Sequence, residues 1–209
     1  RAAAAGFQEF TITGVHLGSY GRDLAPSLSL LDLLHALETY PTPMLFRLSS
    51  LEPMDCTPAI VDLVAAGRRF APHFHLPLQH GSDRVLQAMR RPYTVDYYRS
   101  LVASIRTRLP NAAIGSDLVV GFPGETAADA EATLSFLRAS PLTYLHVFPY
   151  SDRPGTDATQ LPGKVPKPEI RERGRAVRAT AADLSARFRA SQVGTIRSAL
   201  TLKNDEGML

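Results

Sequence analysis

Two hydrophobic rhythms alternate along the chain. Short β-prone apolar runs, Phe7–Val15, Leu45–Leu48, Phe74–Leu78, Ile114–Val120 and Tyr144–Val147, each end in a cluster of polar, glycine or proline residues. Between them Leu28–Thr39, Pro58–Ala66, Asp83–Met89, Val95–Leu109 and Ala127–Ala139 carry apolar side chains at helical spacing. The runs begin near residues 8, 45, 74, 114 and 144, a repeat of the size of a βα unit. Strand, helix and strand running in one direction require a parallel sheet with right-handed crossovers. The pattern therefore predicts an α/β fold, either a partial β/α barrel or an open doubly wound sheet. The barrel is favoured, because HLGSYG, SSLEP, QHGSD, GFPGET and FPYSDRPGT put unusual residues past the end of all five strands. A β/α barrel gathers its active site there, whereas a Rossmann sheet shows its glycine fingerprint mainly after one strand. Thr94 or Asp96, and Thr126, are the expected N-caps of the two helices that follow them.

The two ends read differently. Residues 1–6 have the form of a last helical turn closed by glycine, and residues 204–209 that of a turn entering a strand, half of a hairpin. Together they predict an internal piece of a larger protein. After Gly155 a Pro-, Gly- and Lys-containing loop leads to a helix over Glu169–Gln192, with Ala, Val, Leu and Phe on one face. Arg171, Arg173, Arg175, Arg178, Arg187 and Arg189 make it basic, either as the solvated side of a packing helix or as a phosphate-binding surface. Val193–Leu202 is the expected first strand of a separate β module.

Composition narrows the class. The 209 residues are 44% hydrophobic and 21% charged, which fits a globular chain with a full core. No apolar run approaches the roughly 20 residues that span a bilayer, and no signal-peptide pattern opens the chain, so a cytoplasmic protein with no membrane partner is expected. One cysteine, Cys56, excludes an intrachain disulfide and any metal centre built from several cysteines of this chain. Its bland reading is a small buried apolar residue. The net charge of +3 permits an acidic partner without requiring one.

Several residues could carry chemistry. Gly121–Thr126 follows a strand and precedes a helix but has no lysine, so it is no P-loop; its amides could hold a carboxylate or ribose edge, or serve only the turn. His73 and His75 share a strand face, with His80 nearby, as in metal-dependent hydrolases. They lie at the strand's entry rather than its exit, and no metal site is assigned. His16 and His146 stand alone, as hydrogen-bonded core histidines do. Glu52 and Asp117 sit near strand mouths, where a carboxylate can hold an amino group or ribose hydroxyls, or pair with an arginine.

The ordered blocks TGVHLGSYG, RLSSLEP, HLPLQHGSDRVLQAMRRPYT, SDLVVGFPGET and LHVFPYSDRPGT resemble the radical S-adenosylmethionine methylthiotransferases over nearly the whole chain. TGVHLGSYG looks most like the branch acting on N6-threonylcarbamoyladenosine at tRNA position 37. The resemblance implies a partial (β/α)6 barrel over residues 1–168 missing its first strand, a basic connecting helix over 169–192, and over 193–209 the beginning of a small TRAM-like RNA-binding β domain. It implies S-adenosylmethionine and [4Fe–4S] clusters as cofactors, with the reaction inserting a methylthio group at adenine C2. The implied partners are the tRNA anticodon loop, a reductant and a sulfur donor, for a monomeric protein. Carried over by position, Gly14, Val15 and His16 meet the methionine amino group, Ser49 and Glu52 lie at the next strand's mouth, and Gln79 and Ser82 match the ribose region. Asp117, Val119 and Gly121 match the segment under the adenine, and Phe148 packs on or beside that ring. Arg171, Arg173, Arg175 and Arg178 become RNA contacts. The family's C-x-x-x-C-x-x-C loop is absent from the 209 residues, so the chain alone is expected to be inactive. Glu125 stands four residues after Gly121 where the superfamily pattern has three, and carries no ligand role. The alternatives are a stand-alone tRNA-binding module and a His-x-His metal hydrolase.

Overall fold

Strands and helices alternate in the order the two rhythms predict. The computed structural model describes residues 3–197, 203–204 and 207–208. Strand β1 (Glu9–Ile12) pairs in parallel with β2 (Leu45–Leu48), and β3 (His73–His75), β4 (Ala113–Val120) and β5 (Tyr144–Pro149) form a second parallel set. Single bridges, Phe46 to Phe70 and Ser50 to His75, join the sets. The strands thus run β1-β2-β3-β4-β5, without the order reversal that defines a doubly wound sheet. This is the partial-barrel alternative.

Helices α1 (Leu30–Thr39), α2 (Pro58–Ala66), α3 (Asp83–Ala88), α4 (Val95–Arg108) and α5 (Ala127–Ala139) lie between the strands. Local chemistry sets their starts. Thr94, rather than Asp96, caps α4 by accepting from Tyr97 N at 3.2 Å. Thr126 caps α5, and Asp129 returns the favour to the Thr126 backbone, a capping box. Ser29 and Asp32 form a second box and start α1 at Leu30, two residues later than its apolar run. The helices bury Leu34, Tyr98, Ile105 and Leu137 against Phe74, Ile114 and Leu118 of the sheet. The Tyr98 hydroxyl donates to Leu76 O at 2.7 Å, so the buried phenol is satisfied. Cys56 is buried in this core, and burial pushes its thiol up to about 12.

Helix α6 (Lys167–Gln192) packs Val177, Ala181 and Leu184 inward, against β5 and α5. Its first turn rests on the loop after β4: Gly121 has φ +83°, and a Cβ there would lie 2.4 Å from Ile170 Cγ1. At the ends, Ala3–Ala5 forms a 3-10 turn closed by Gly6 at φ +83°. Strands β6 (Lys203–Asn204) and β7 (Gly207–Met208) pair antiparallel, so both sides of a short hairpin are present where the sequence predicted only half of one. Of the strand expected over Val193–Leu202, Val193 and Gly194 form a turn, Thr195–Arg197 are in no strand, and 198–202 lie outside the described residues.

Candidate cofactor and substrate site

Alternate residues of β5, Tyr144, His146 and Phe148, stand opposite Gly115, Asp117 and Val119 of β4. Gly115 makes room for the first pair: a Cβ there would lie 1.9 Å from the Tyr144 ring. Tyr144 Oη therefore reaches back to His73 Nε2 at 2.8 Å and His75 Nδ1 at 3.1 Å. His75 Nε2 and His146 Nδ1 meet the same oxygen, Asp117 Oδ1, at 2.9 and 3.0 Å. Burial opposes ionisation of Asp117, but the two imidazoles outweigh it and hold the carboxyl below its usual range. An ionised carboxylate only accepts, so both rings donate to it. With one proton per ring, Tyr144 then donates to His75 Nδ1 and accepts from His73 Nε2. The result is a directional chain, His73 to Tyr144 to His75 to Asp117, with His146 donating from the other side.

This chain reshapes the histidine readings. His73 and His75 converge on Tyr144 rather than on a metal, which removes the geometric basis of the hydrolase reading. The nitrogens of His75 and His146 and the Asp117 oxygen lie within 4.8 Å of one another, a proximity their hydrogen bonds account for. His146 is no core histidine: its side chain is 57% exposed. Burial, with help from the charge of Arg47, lowers the His73 pKa to about 4. A histidine that is neutral when folded and ordinary when unfolded leaves the unfolded state binding more protons between about pH 4 and 6.5, so stability rises with pH through that window. Urea midpoints at pH 7 and pH 4.5 should therefore differ less in His73→Gln than in the parent chain.

Beyond this chain a cavity of about 800 Å³ opens at the exits of β4 and β5, lined by Gln79, Asp117, Val119 and Phe148 among others. Gln79 has φ +69°, a conformation uncommon without glycine. Two backbone bonds to β4 hold it there: Gln79 N donates to Asp117 O at 2.8 Å and Val119 N to Gln79 O at 2.9 Å. Phe148 is half exposed beside them. Three arginines join the lining. Arg91 pairs with Glu52 at 3.2 Å, the arginine partner foreseen for that carboxylate, and Arg90 pairs with Asp157 at 2.8 Å.

Other carried-over residues have different work. The Ser82 hydroxyl donates to Asp129 at 2.6 Å, tying α3 to the start of α5, and does not line the cavity. The amides of the Gly121 turn hold a carboxylate, as their geometry allows, but it is the chain's own: Gly121 N and Phe122 N donate to Glu125 Oε2 at 2.5 and 3.2 Å. Arg173 turns inward to the same carboxylate, 3.2 Å from Oε1, with its side chain only 14% exposed. That contradicts an RNA contact for Arg173, while Arg171, Arg175 and Arg178 are exposed. Gly14, Val15 and His16 follow β1, with Val15 exposed and His16 Nε2 2.9 Å from Asp55. Ser49, at the exit of β2, donates its N–H to Ile12 O at 3.0 Å. None of these four lines the cavity. Sequence reasoning passed over Tyr144 and took His146 for a core histidine, although the alternation in YLHVFPY placed an aromatic ring at every second residue.

Residues 3–137, more than half of the chain, match the family model described as the radical SAM superfamily. The chain belongs to that superfamily. It is 38% identical over 195 residues to the threonylcarbamoyladenosine tRNA methylthiotransferase of Thermotoga maritima, covering 93% of this chain and 44% of the relative. The Aquifex aeolicus protein of the same name is 40% identical over 173 residues, 83% of this chain and 42% of its own length. A ribosomal protein uS12 methylthiotransferase of Acidothermus cellulolyticus is 40% identical over 168 residues, 80% of this chain and 35% of its own. The chain thus spans less than half the length of these relatives. Two solved structures share the fold. Coproporphyrinogen III oxidase of Escherichia coli aligns at TM-score 0.56 and 17% identity, over 86% of this chain and 44% of that one. A radical S-adenosylmethionine methyltransferase of Kitasatospora setae, with cobalamin and a [4Fe–4S] cluster bound, aligns at 0.53 and 21%, over 71% and 28%.

Radical SAM proteins work with S-adenosylmethionine and a [4Fe–4S] cluster. The cavity suits the first: its volume lies in the range of small-ligand pockets, and it offers an apolar wall, an amide and a carboxylate. The cluster has no fit among these residues. Its anchors are thiolates, and the one cysteine is buried with its thiol pushed up to about 12. Among the described residues no helix is long and apolar enough to cross a membrane.

Proposed function

We propose that the chain is the barrel portion of a cytoplasmic, monomeric tRNA methylthiotransferase acting at C2 of N6-threonylcarbamoyladenosine, position 37 of the anticodon loop. The observation that carries this reading is the similarity to two relatives so named, extending over 93% and 83% of the chain. On this reading residues 1–168 are the barrel, 169–192 the connecting helix and 193–209 the start of a TRAM-like RNA-binding domain. The reaction also needs a reductant, a sulfur donor and cluster ligands from outside these residues, so the chain by itself is inactive.

S-adenosylmethionine, when bound, supplies the radical that takes hydrogen from adenine C2 and the methyl group of the product. The chain's own part is to bind and orient. Val119 and Phe148 offer an adenine ring an apolar wall. Gln79 brings its side-chain amide to the cavity on a backbone pinned to β4, and Asp117 brings a carboxylate whose orientation two imidazoles fix. Glu52 acts at one remove, by holding Arg91 at the cavity wall. Gly14, Val15, His16 and Ser49 stay in the proposed set as the strand exits of β1 and β2. Ser82 and Gly121 drop out, because Asp129 and Glu125 occupy their polar groups. Arg171, Arg175 and Arg178 meet the RNA backbone.

Calorimetric titration of this chain with S-adenosylmethionine should show one site, weakened about fivefold or more in Gln79→Gly, which removes the amide while tolerating the left-handed backbone. Binding of a tRNA anticodon stem-loop should weaken with salt, and each of Arg171→Ala, Arg175→Ala and Arg178→Ala should lower the salt slope by about 1. An absence of S-adenosylmethionine binding would overturn the cavity assignment, and an unchanged slope the RNA face.

A further inference from the structure

The turn that follows β5 presents to the cavity a cation with no role in the fold. In Arg153-Pro154-Gly155-Thr156 proline stands second and Gly155 third with φ +81°, the arrangement of a type II turn. Thr156 closes the turn by donating twice to Arg153 O, from its N at 3.2 Å and from its Oγ1 at 2.8 Å. The backbone of Arg153 is therefore fixed by its own turn, while the residue is exposed and lines the cavity.

The ion pairs nearby single out this arginine. The lining carries three arginines, Arg90, Arg91 and Arg153, against two carboxylates, Asp117 and Asp157. Asp157 pairs with Arg90 and Glu52 with Arg91, and Asp117 is spent on two imidazoles. Asp152, the neighbour in sequence, is held by Lys164 and by the Tyr150 hydroxyl. Among the described residues no ion pair or hydrogen bond engages the Arg153 guanidinium. A planar fork of donors left over in a concave site suits the paired oxygens of a carboxylate or a phosphate. The phosphates of an RNA run along its outside, whereas the group that follows a base into a cavity is the substituent on its ring. The methionine carboxylate of S-adenosylmethionine belongs, on the proposed reading, at the exits of β1 and β2, the far edge of the strand order from β5.

We propose that Arg153 binds the carboxylate at the end of the threonylcarbamoyl group of the substrate base. The inference rests on the threonylcarbamoyladenosine reading and adds the residue that selects for it. An uncharged N6 substituent such as dimethylallyl gains nothing from the guanidinium. The selection works by attraction alone, since an exposed Arg153 keeps its water when the substituent is neutral.

The test uses this chain and three fluorescent anticodon stem-loops that differ only at N6 of adenosine 37: threonylcarbamoyl, its methyl ester, and dimethylallyl. Anisotropy titrations should show the free acid bound about fivefold more tightly than the other two, the upper end for an ion pair open to solvent. Arg153→Gln should bring the acid down to the level of the ester and leave the ester and dimethylallyl affinities in place. Calorimetric binding of S-adenosylmethionine should stay unchanged in the variant, which also reports an intact fold. An ester bound as tightly as the acid, or a preference that survives Arg153→Gln, overturns the role of Arg153. An equal loss for all three RNAs assigns the guanidinium to a backbone phosphate, and a loss of S-adenosylmethionine affinity assigns it to the cofactor's carboxylate; either overturns the role as well. These four results leave the proposed function standing. If none of the three RNAs binds, the proposed function fails and this inference with it.

Discussion

Glu125→Leu is expected to cost about 3–5 kcal/mol of stability, the range found when one member of a buried ion pair is removed. The carboxylate is 1% exposed and serves four groups: the amides of Gly121 and Phe122, Arg173 at 3.2 Å and His80 at 3.5 Å. Leucine would take from Arg173 the buried one of its two carboxylate partners, leaving it Glu169 at 2.9 Å, strip two amides of their acceptor and free the turn that seats Ile170 of α6. The loss should appear as a lowered urea midpoint. Burial opposes the charge on Glu125, but His80, the Gly121 amide and Arg173 prevail and hold its pKa below the usual value. The stabilisation is therefore complete above the unfolded carboxyl's pKa and fades as pH falls through the folded one. Because part of the penalty is the loss of the buried partner of Arg173, Glu125→Leu combined with Arg173→Leu should recover some of it. A single-variant loss below about 1 kcal/mol would mean that water or a rearranged Arg173 replaces the carboxylate.

Gly115→Ala is the second large effect, about 1–3 kcal/mol. The added methyl group would fall 1.9 Å from the Tyr144 ring, beyond what small shifts absorb. Tyr144 must swing away, which breaks its bonds to His73 and His75 and opens His73 to water. With its burial relieved, the His73 pKa should climb from about 4 toward its ordinary 6.5. An NMR titration of the histidine rings reads that rise directly. An unmoved His73 titration would show that the strand, not the ring, gives way.

These two sites also show what a sequence can and cannot disclose. Helices α2 and α5 were legible to the residue because punctuation bounds them, Thr57-Pro58 before one and Thr126 before the other. The run Phe74–Leu78 was read as a strand throughout, yet β3 ends at His75. Leu76 and Leu78 are fully buried all the same, so their apolar character records burial and says nothing of ladder pairing, which Pro77 interrupts. The strand exits foretold a shared mouth, and Gln79, Asp117, Val119 and Phe148 do line one cavity. Ser82, Gly121 and Arg173 were misread for a common reason. Ser82 and Arg173 answer to Asp129 and Glu125, 47 and 48 residues away, and Gly121 to the Glu125 carboxylate, which His80 and Arg173 meet only in the packed chain. His146 was read as a core histidine because its real position depends on register: only the pairing of β4 with β5 sets it opposite Asp117.

The seam between the two strand sets bears on how the molecule moves. Strands β1 and β2 share a full ladder, as do β3, β4 and β5, while the sets are joined by isolated bridges at Phe46 and Ser50. Cooperative openings divide a protein where cross-links are sparsest. Amide hydrogens of Phe10–Ile12 should thus exchange with deuterium together, and sooner than those of Ser116–Val120. Such breathing would leave the Asp117–His146 wall intact while the strand exits carrying Gly14, Val15, His16 and Ser49 come and go.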